Sequence, residues 1–434
     1  MLKRLRFGAG AAAILLAAGL IGSALAQSIS VPQVTSIGPN DLFQDVVGGQ
    51  PSAGNQYAPA SLLGNYSASL GGNNPTNLLI GGDSTTNLYQ RGTTGSSVTT
   101  TLTYGGPDRW AYWSGTGTAM TVSRTTTAAD LPTSLTYRSG FKMARTSGQT
   151  GVVQMCMMQV VESANAYALS GQTAEIDFHA TAGANFSAAN SQMTVYLITG
   201  NGADEAASTA AFNLNAGGGG SSLWTGQVNT GVAVTLVAGN NRYTVGIPAP
   251  AGTTEAAVAL CFTPVGTAGT NDYIAFSGIQ LTPNSALTAA AGTAGVALVN
   301  DTRAKSFARR SQQQETALQQ RYFYRLTETA AIAPVAPCAA VDTTHTNCLV
   351  QVPVNMRIAP AIALANGFAT PTSTTQATLG ACTTLSAATT VTSTVASINT
   401  ALINCAATTV PAAGVASFLY SNNGAGTISL SAEL

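Results

Sequence analysis

Charge is scarce in this sequence. Only 8% of its 434 residues are Asp, Glu, Lys or Arg, where an ordinary soluble domain carries about a quarter. That shortage argues against long solvated helices and leaves Thr, Ser, Asn and Gln to face water, a role that suits the open side of strands. The 17 basic and 17 acidic residues cancel, so no global field draws in nucleic acid. The two histidines lie far apart and no Cys-x-x-Cys pair is present, which gives no support to a zinc site. Also missing are a Gly-x-Ser-x-Gly elbow, a His-Glu-x-x-His helix, a P-loop and a dinucleotide fingerprint, the local signatures of several large enzyme classes. The run "GGGG" at 217–220 has no Lys-Ser/Thr after it and reads as a loop rather than a phosphate cradle.

Export is written at the start of the chain. "MLKRLR" is basic, "FGAGAAAILLAAGLIG" apolar, and "SALAQ" ends in a small-x-small site. Residues 1–26 read as a signal peptide cleaved after Ala26, the alternative being a retained hydrophobic anchor. With the leader removed, no stable membrane span is expected. Six cysteines then face an oxidising compartment. Proximity favours Cys338 with Cys348 and Cys382 with Cys405, leaving Cys156 with Cys261; the last two read nearly as well as small buried hydrophobes.

Residues 27–75 show no sustained period and read as an extended attachment or assembly arm with anchors such as Leu42, Phe43, Leu62 and Leu63. From 76 to 285 about nine short runs, among them "GVVQMCMMQVVE", "AEIDFHATAG" and "EAAVALCFTP", are bounded by Gly, Asn, Pro or Ser. Several alternate apolar and polar residues, the pattern of a two-sheet sandwich. Residues 303–325 interrupt this: no Gly or Pro, seven charges, and Phe307, Leu318, Tyr322 and Leu326 at helix-compatible spacing. They predict a helix of five to six turns starting at Asp301 or Thr302, within a linker of 286–325. A seam between subunits is one use for it. Its basic start "RAKSFARR" reads as a solvated face rather than a nucleic-acid site. Residues 326–434 return to strands as a second, small β domain with four of the cysteines, and "GVASFLYSNNGAGTISLSAEL" predicts a closing hairpin.

Several stretches together, "NLLIGGDSTTNLYQRGTT", "YGGPDRWAYWSG", "TPVGTAGTNDYIAFSGIQL", "RRSQQQETALQQRYFYR" and the terminal "SAEL", resemble a module of bacteriophage and prophage tail-fibre-like proteins. The resemblance covers roughly residues 73–434. It implies a carbohydrate-binding-module-like jelly roll, a short helix ending in paired aromatics, and a small C-terminal β-sandwich. It further implies assembly as a homotrimer or fibre, and a structural calcium near the first and last strands, for which Asp83 and Asp272 are the oxygen donors at hand. The leader and the four C-terminal cysteines depart from the module's pattern.

Two constellations carry candidate chemistry. In "AEIDFHA", Glu175, Asp177 and His179 share one strand face. They read as a solvated face, as contacts to a sugar or cation, or as glycosidase carboxylates, although their common orientation does not suit groups that must flank a bond. In "RWAYW", Tyr112 and Trp113, together with Trp224 beside the glycine run, are either core or stacking surfaces for sugar rings. The expectation is therefore a non-enzymatic, exported or virion-surface adhesin that binds a bacterial cell-surface glycan or protein and needs no cofactor. The alternatives are a purely structural virion decoration or secreted filament subunit and a secreted polysaccharide-active enzyme.

Overall fold

The computed structural model describes residues 42–45, 56–59, 77–95, 102–115, 119–133, 137–207, 224–284, 287, 294–328, 333–365, 367–371, 379–382, 384–387, 398, 400–408, 410, 412–421 and 426–433. The leader expected at 1–26, the anchors Leu62 and Leu63 and the glycine run at 217–220 lie outside them. Two units are distinguished, Met1–Pro75 and Thr76–Leu434. In the first, β1 (Leu42–Asp45) pairs antiparallel with β2 (Gln56–Pro59), so the span read as an extended arm contains a two-stranded ladder.

The second unit opens with thirteen strands: β3 (Thr94–Gly95), β4 (Thr103–Tyr104), β5 (Ala111–Ser114), β6 (Met120–Thr125), β7 (Gly140–Arg145), β8 (Met155–Val161), β9 (Thr173–Ala182), β10 (Gln192–Gly200), β11 (Val228–Thr235), β12 (Asn241–Pro248), β13 (Glu255–Phe262), β14 (Tyr273–Pro283) and β15 (Val296–Val299). They form two antiparallel sheets, ordered β11-β10-β13-β8-β5-β4 and β15-β12-β9-β14-β7-β6-β3. The central strands are β7-β14-β9-β12 facing β8-β13-β10-β11. Successive strands switch sheet at every step from β7 to β14 except β10 to β11, which is the winding of a jelly roll. Along β10, Met193, Val195 and Leu197 enter the core while Thr194 and Tyr196 face out. Between the sheets Phe178 stacks on Tyr243 and meets Phe276 edge-on. β8 and β13 are buried on both faces, because the outer side of their sheet is itself covered.

The opening "IGGDS" has a steric reason. Gly82 lies against the carbonyl of Ile279, where any Cβ would collide, and Gly81 has φ +68°. The contact sits at a bulge in β14 between Ser277 and Gln280, and Ile279 N–H donates to the Gly82 carbonyl at 3.0 Å.

The helix is shorter than its sequence pattern predicts. α1 is Gln312–Gln320, capped by Ser311, whose hydroxyl accepts from Gln314 N–H while the Gln314 side chain returns to the cap. Asp301 and Thr302 cap nothing there. Tyr322 lies beyond the helix and Leu326 belongs to the next strand. Residues 303–310 are non-helical because their backbone groups are held by the sandwich, as described below.

The C-terminal region contains β16 (Phe323–Thr327), β17 (Pro334–Ala340), β18 (His345–Gln351), β19 (Ala361–Ala365), β20 (Phe368–Pro371), β21 (Leu379–Ala381), β22 (Thr384–Ala387), β23 (Thr400–Ala406), β24 (Ala416–Ser421) and β25 (Thr427–Ser431). A three-stranded sheet, β16-β25-β19, faces a seven-stranded one, β21-β20-β24-β17-β18-β23-β22. Ile428 and Leu430 meet Cys348, Ile403 and Leu419 in the core. The predicted closing hairpin is not formed: β24 and β25 belong to opposite sheets, and β25 pairs instead with β16 and β19. Disulfides join Cys156 to Cys261, Cys338 to Cys348 and Cys382 to Cys405. The first two link directly opposed residues of neighbouring strands.

Candidate functional site

The acidic row of β9 lies on the outer face of its sheet, under the 303–310 segment. Glu175 and Asp177 are 0% and 2% exposed. Glu175 accepts Lys305 N–H at 2.8 Å and pairs with the Asn284 amide. Asp177 accepts Thr244 Oγ1 at 3.0 Å, Gln280 Nε2 at 3.1 Å and the Arg242 guanidinium. Gln280 in turn receives Ala308 N–H at 3.0 Å and donates to the Lys305 carbonyl at 3.1 Å. Burial pushes the Glu175 carboxyl up and the His179 imidazole down. Both the solvated face and the sugar, cation or catalytic roles read for Glu175 and Asp177 are thus corrected: the two are buried and occupied in fixing the linker. Half-buried His179 packs beside Tyr137, ring centroids 5.5 Å apart.

The aromatic platform is corrected too. Tyr112, Trp113 and Trp224 are 1%, 2% and 2% exposed, leaving no ring face for a ligand. Tyr112 fills the core between the sheets, while Trp113 and Trp224 join Tyr322 and Leu318 over the outer face of the β8–β13 sheet.

The expected calcium ligands are apart and already partnered. Asp83 accepts Thr85 N–H at 3.0 Å and faces Arg309 at 3.3 Å. Asp272 pairs with buried Arg145 at 2.8 Å and accepts the Ser187 hydroxyl at 2.6 Å. Gly82, next to Asp83, meets β14 at Ile279, seven residues from Asp272, or roughly 20 Å along the strand.

The two stretches that open and close the sandwich dock on each other. Glu315 of α1 accepts Gly81 N–H, Gln319 Oε1 accepts Leu88 N–H at 2.8 Å, and Gln319 Nε2 donates to the Thr86 carbonyl at 3.3 Å. Arg310 reaches the carbonyl of Leu79 at 3.0 Å, and Gln90 binds the Phe323 carbonyl at 2.7 Å. Arg109 stacks on Tyr322 at 3.6 Å and pairs with Glu433 at the chain's end.

This docking shapes a cleft of about 720 Å³ between α1 and the C-terminal sandwich. Ala317, Leu318 and Arg321 of the helix and its cap form one wall, residues Gln351, Val352, Pro353, Val354 and Asn355 the other, with Thr400 between. Its size is that of ordinary ligand sites, which combine apolar lining with a few convergent polar groups. Gln351 and Thr400 pair across β18 and β23, and the same outer face continues through Leu349 opposite Leu402 and Asn347 opposite Asn404, whose amides bond at 2.8 Å. Beyond β17 stand Phe418, 43% exposed, and Tyr420, ring centroids 6.3 Å apart. Sequence reading missed Arg321, Gln351, Asn355, Thr400, Phe418 and Tyr420. The alternation in "ASFLYS" carries a signal for the last two, whereas the cleft depends on how two sandwiches dock.

No family model matches the chain, and no curated protein matches it. A solved structure similar to it is the enzymatically active domain of tailspike protein 4 of bacteriophage CBA120, with a TM-score of 0.27 and 14% identity. The match covers 41% of this chain and 19% of that one, and a likeness of this size assigns neither activity nor ligand. Among the described residues no helix is long and apolar enough to cross a membrane.

Proposed function

We propose that the chain is a fibre-type surface adhesin of the phage tail-fibre kind, without enzymatic activity, that binds a bacterial cell-surface glycan in the cleft beside α1. The observation that carries this reading is the cleft's composition. Arg321, Gln351, Asn355 and Thr400 offer donors and acceptors suited to sugar hydroxyls, while Leu318, Val352, Pro353 and Val354 offer apolar surface to a ring face. Among the described residues the lining has no Asp, Glu, His, Cys, Ser, Tyr or Lys and so offers no nucleophile-base or paired-carboxylate set, which supports binding over catalysis. Three disulfides suit an oxidising exterior, and with it an exported or virion-surface location. A homotrimer is the assembly that goes with this reading.

The test is a glycan array and whole-cell binding assay on the purified protein, with mass by light scattering in the same buffer. Saturable binding that weakens about tenfold in Asn355→Ala, the loss of roughly one polar anchor, and disappears in Thr400→Trp is the expected result. Both variants should keep the wild-type melting profile. A second reading, a structural virion decoration or filament subunit, is favoured by the uncharged outer stripe through Phe418, Pro337, Leu349 and Leu402. Self-assembly without any glycan or cell binding would replace the adhesin by that structural role.

A further inference from the structure

At one end of the β10–β13 pair two carboxylates meet, and among the described residues no basic side chain pairs with either. Glu255 begins β13 and is 2% exposed. Its Oε1 accepts Glu205 N–H at 2.6 Å, whereas its buried Oε2 receives no N–H or O–H donor among the described residues, and the Glu205 and Glu255 carboxyls lie within hydrogen-bond reach of each other. The Glu205 carboxylate is oriented by Thr225, which donates its N–H at 2.6 Å and its hydroxyl at 3.0 Å. Two glycines keep the space between the acids open. A Cβ on Gly202 would collide with Glu205 Oε2 and come within 2.9 Å of Glu255 Oε2. A Cβ on Gly200 would stand 3.0 Å from Glu255 Oε2 and 3.3 Å from the Thr225 carbonyl. The other charges acting on Glu255 are those of Glu205 and Asp204, all negative. A buried carboxylate with one oxygen lacking a donor and a like charge beside it is costly unless something positive, a proton or a cation, lies between the two acids.

We propose that Glu205, Glu255 and the Thr225 carbonyl bind a hard divalent cation of the calcium class, completed by water. These are oxygen ligands of the kind calcium takes, and two carboxylates balance its charge. Among the described residues no group of three or more acidic, His or Cys side chains is gathered as a metal site, so the carbonyl and water supply the remaining oxygens. The cation ties the 200–205 turn and the Thr225 turn to the first residue of β13. This place is distinct from the partnered Asp83 and Asp272.

The experiment titrates calcium chloride into the chelator-treated full chain by calorimetry and follows the melting temperature in parallel. One ion per chain with a Kd of about 0.1–1 mM, the range of extracellular calcium modules, and a melting temperature that rises with calcium are the expected results. Glu255→Gln should weaken calcium binding tenfold or more. It should also melt higher than wild type in chelator, where it removes like-charge repulsion, yet lower than wild type in calcium. Glu205→Gln, at a half-buried position, repeats the test should the first variant fail to fold. An absence of calcium heat, with both Gln variants stabilised equally in chelator and in calcium, overturns the proposal and leaves a proton shared between the two acids.

Discussion

Neutralising Glu433, the penultimate residue, should loosen the whole C-terminal end from the sandwich. Its carboxylate pairs with Arg109 and lies 3.1 Å from Arg91, in side chains only 7%, 1% and 11% exposed. Arg109 is further fixed by Tyr322 beneath it and by the Val160 carbonyl at 2.6 Å, so it cannot follow a lost counter-ion into water. Removing one partner of a buried ion pair costs roughly 3–5 kcal/mol. Glu433→Gln belongs at about 3 kcal/mol on that scale, because the amide oxygen still accepts a hydrogen bond and Arg91 keeps Asp108 at 3.9 Å. The local readout is amide exchange at Ala432, whose N–H donates to the Tyr322 carbonyl at 2.7 Å. Opening easier by that amount speeds exchange roughly 100-fold. Arg109→Met combined with Glu433→Leu should recover most of the loss, since a buried pair replaced on both sides by apolar groups is near neutral. Exchange at Ala432 within about threefold of wild type in Glu433→Gln would refute the reasoning.

The disulfides should differ in worth. The Cys156–Cys261 bond closes a separation of 105 residues and Cys338–Cys348 one of 10. Replacing the first pair by alanine should cost about 2–4 kcal/mol in thermal unfolding and the second clearly less; equal losses would contradict a loop-closure origin. Stability should also depend on pH in an unusual direction. Burial pushes the Asp108 and Glu175 carboxyls above their ordinary values of 3.8 and 4.5, so the folded chain holds protons that the unfolded chain has released. Their contribution weakens as pH rises through the folded values, and the melting temperature should climb as pH falls from neutral toward those ordinary values. Exposed Asp342 acts oppositely. Hydrogen bonds from Thr344 hold it down to about 2, so its contribution is lost as pH falls through that value. A melting temperature flat between neutral pH and the ordinary carboxylate range would contradict the burial of the first two acids.

What the sequence showed depended on range. Strand alternation is local, so "QMTVYLITG" revealed its dry face and the two-sheet architecture was legible from such runs. The Cys338–Cys348 bond was legible because its partners are close in sequence, whereas Cys156–Cys261, 105 residues apart, was only the pair left over, beside a reading of both as buried hydrophobes. Glu175 and Asp177 were also placed on a common face, but the residues covering that face, Lys305 and Ala308, lie some 130 positions along the chain. Periodicity carries no information about such a partner. The helix failed for the same reason. Residues 303–310 have acceptable helix composition, yet Glu175, Gln280, Asn77 and Leu79 bind their backbone or side chains in a non-helical path, and Ser311 supplies the first real cap. Trp113 and Trp224 stayed open between core and stacking surface because a strand's outer face usually meets water. Here that face is covered by Leu318 and Tyr322, so a sheet apolar on both sides results.

The scarcity of charge now has a structural meaning. Among the described residues Asp83, Asp108, Asp130, Asp177, Asp272, Glu162, Glu175, Glu255 and Glu315 are all buried, more than half of the 17 acidic residues in the sequence. Most orient an arginine, a lysine or a backbone segment inside the molecule. The few charges thus act as internal fasteners between distant stretches, and the surface is left to hydroxyl and amide groups. Such a surface neither attracts nor repels a charged cell envelope at long range, so the proposed adhesion would have to come from contact at a shaped place. The cleft beside α1 and the amide and aromatic face that continues from it are where the described surface offers that contact, and the buried ion pairs around Glu433 hold the two walls of the cleft together. If the cleft binds a glycan as proposed above, loosening Glu433 should weaken that binding along with the tail, although Glu433 is not among the residues lining the cleft.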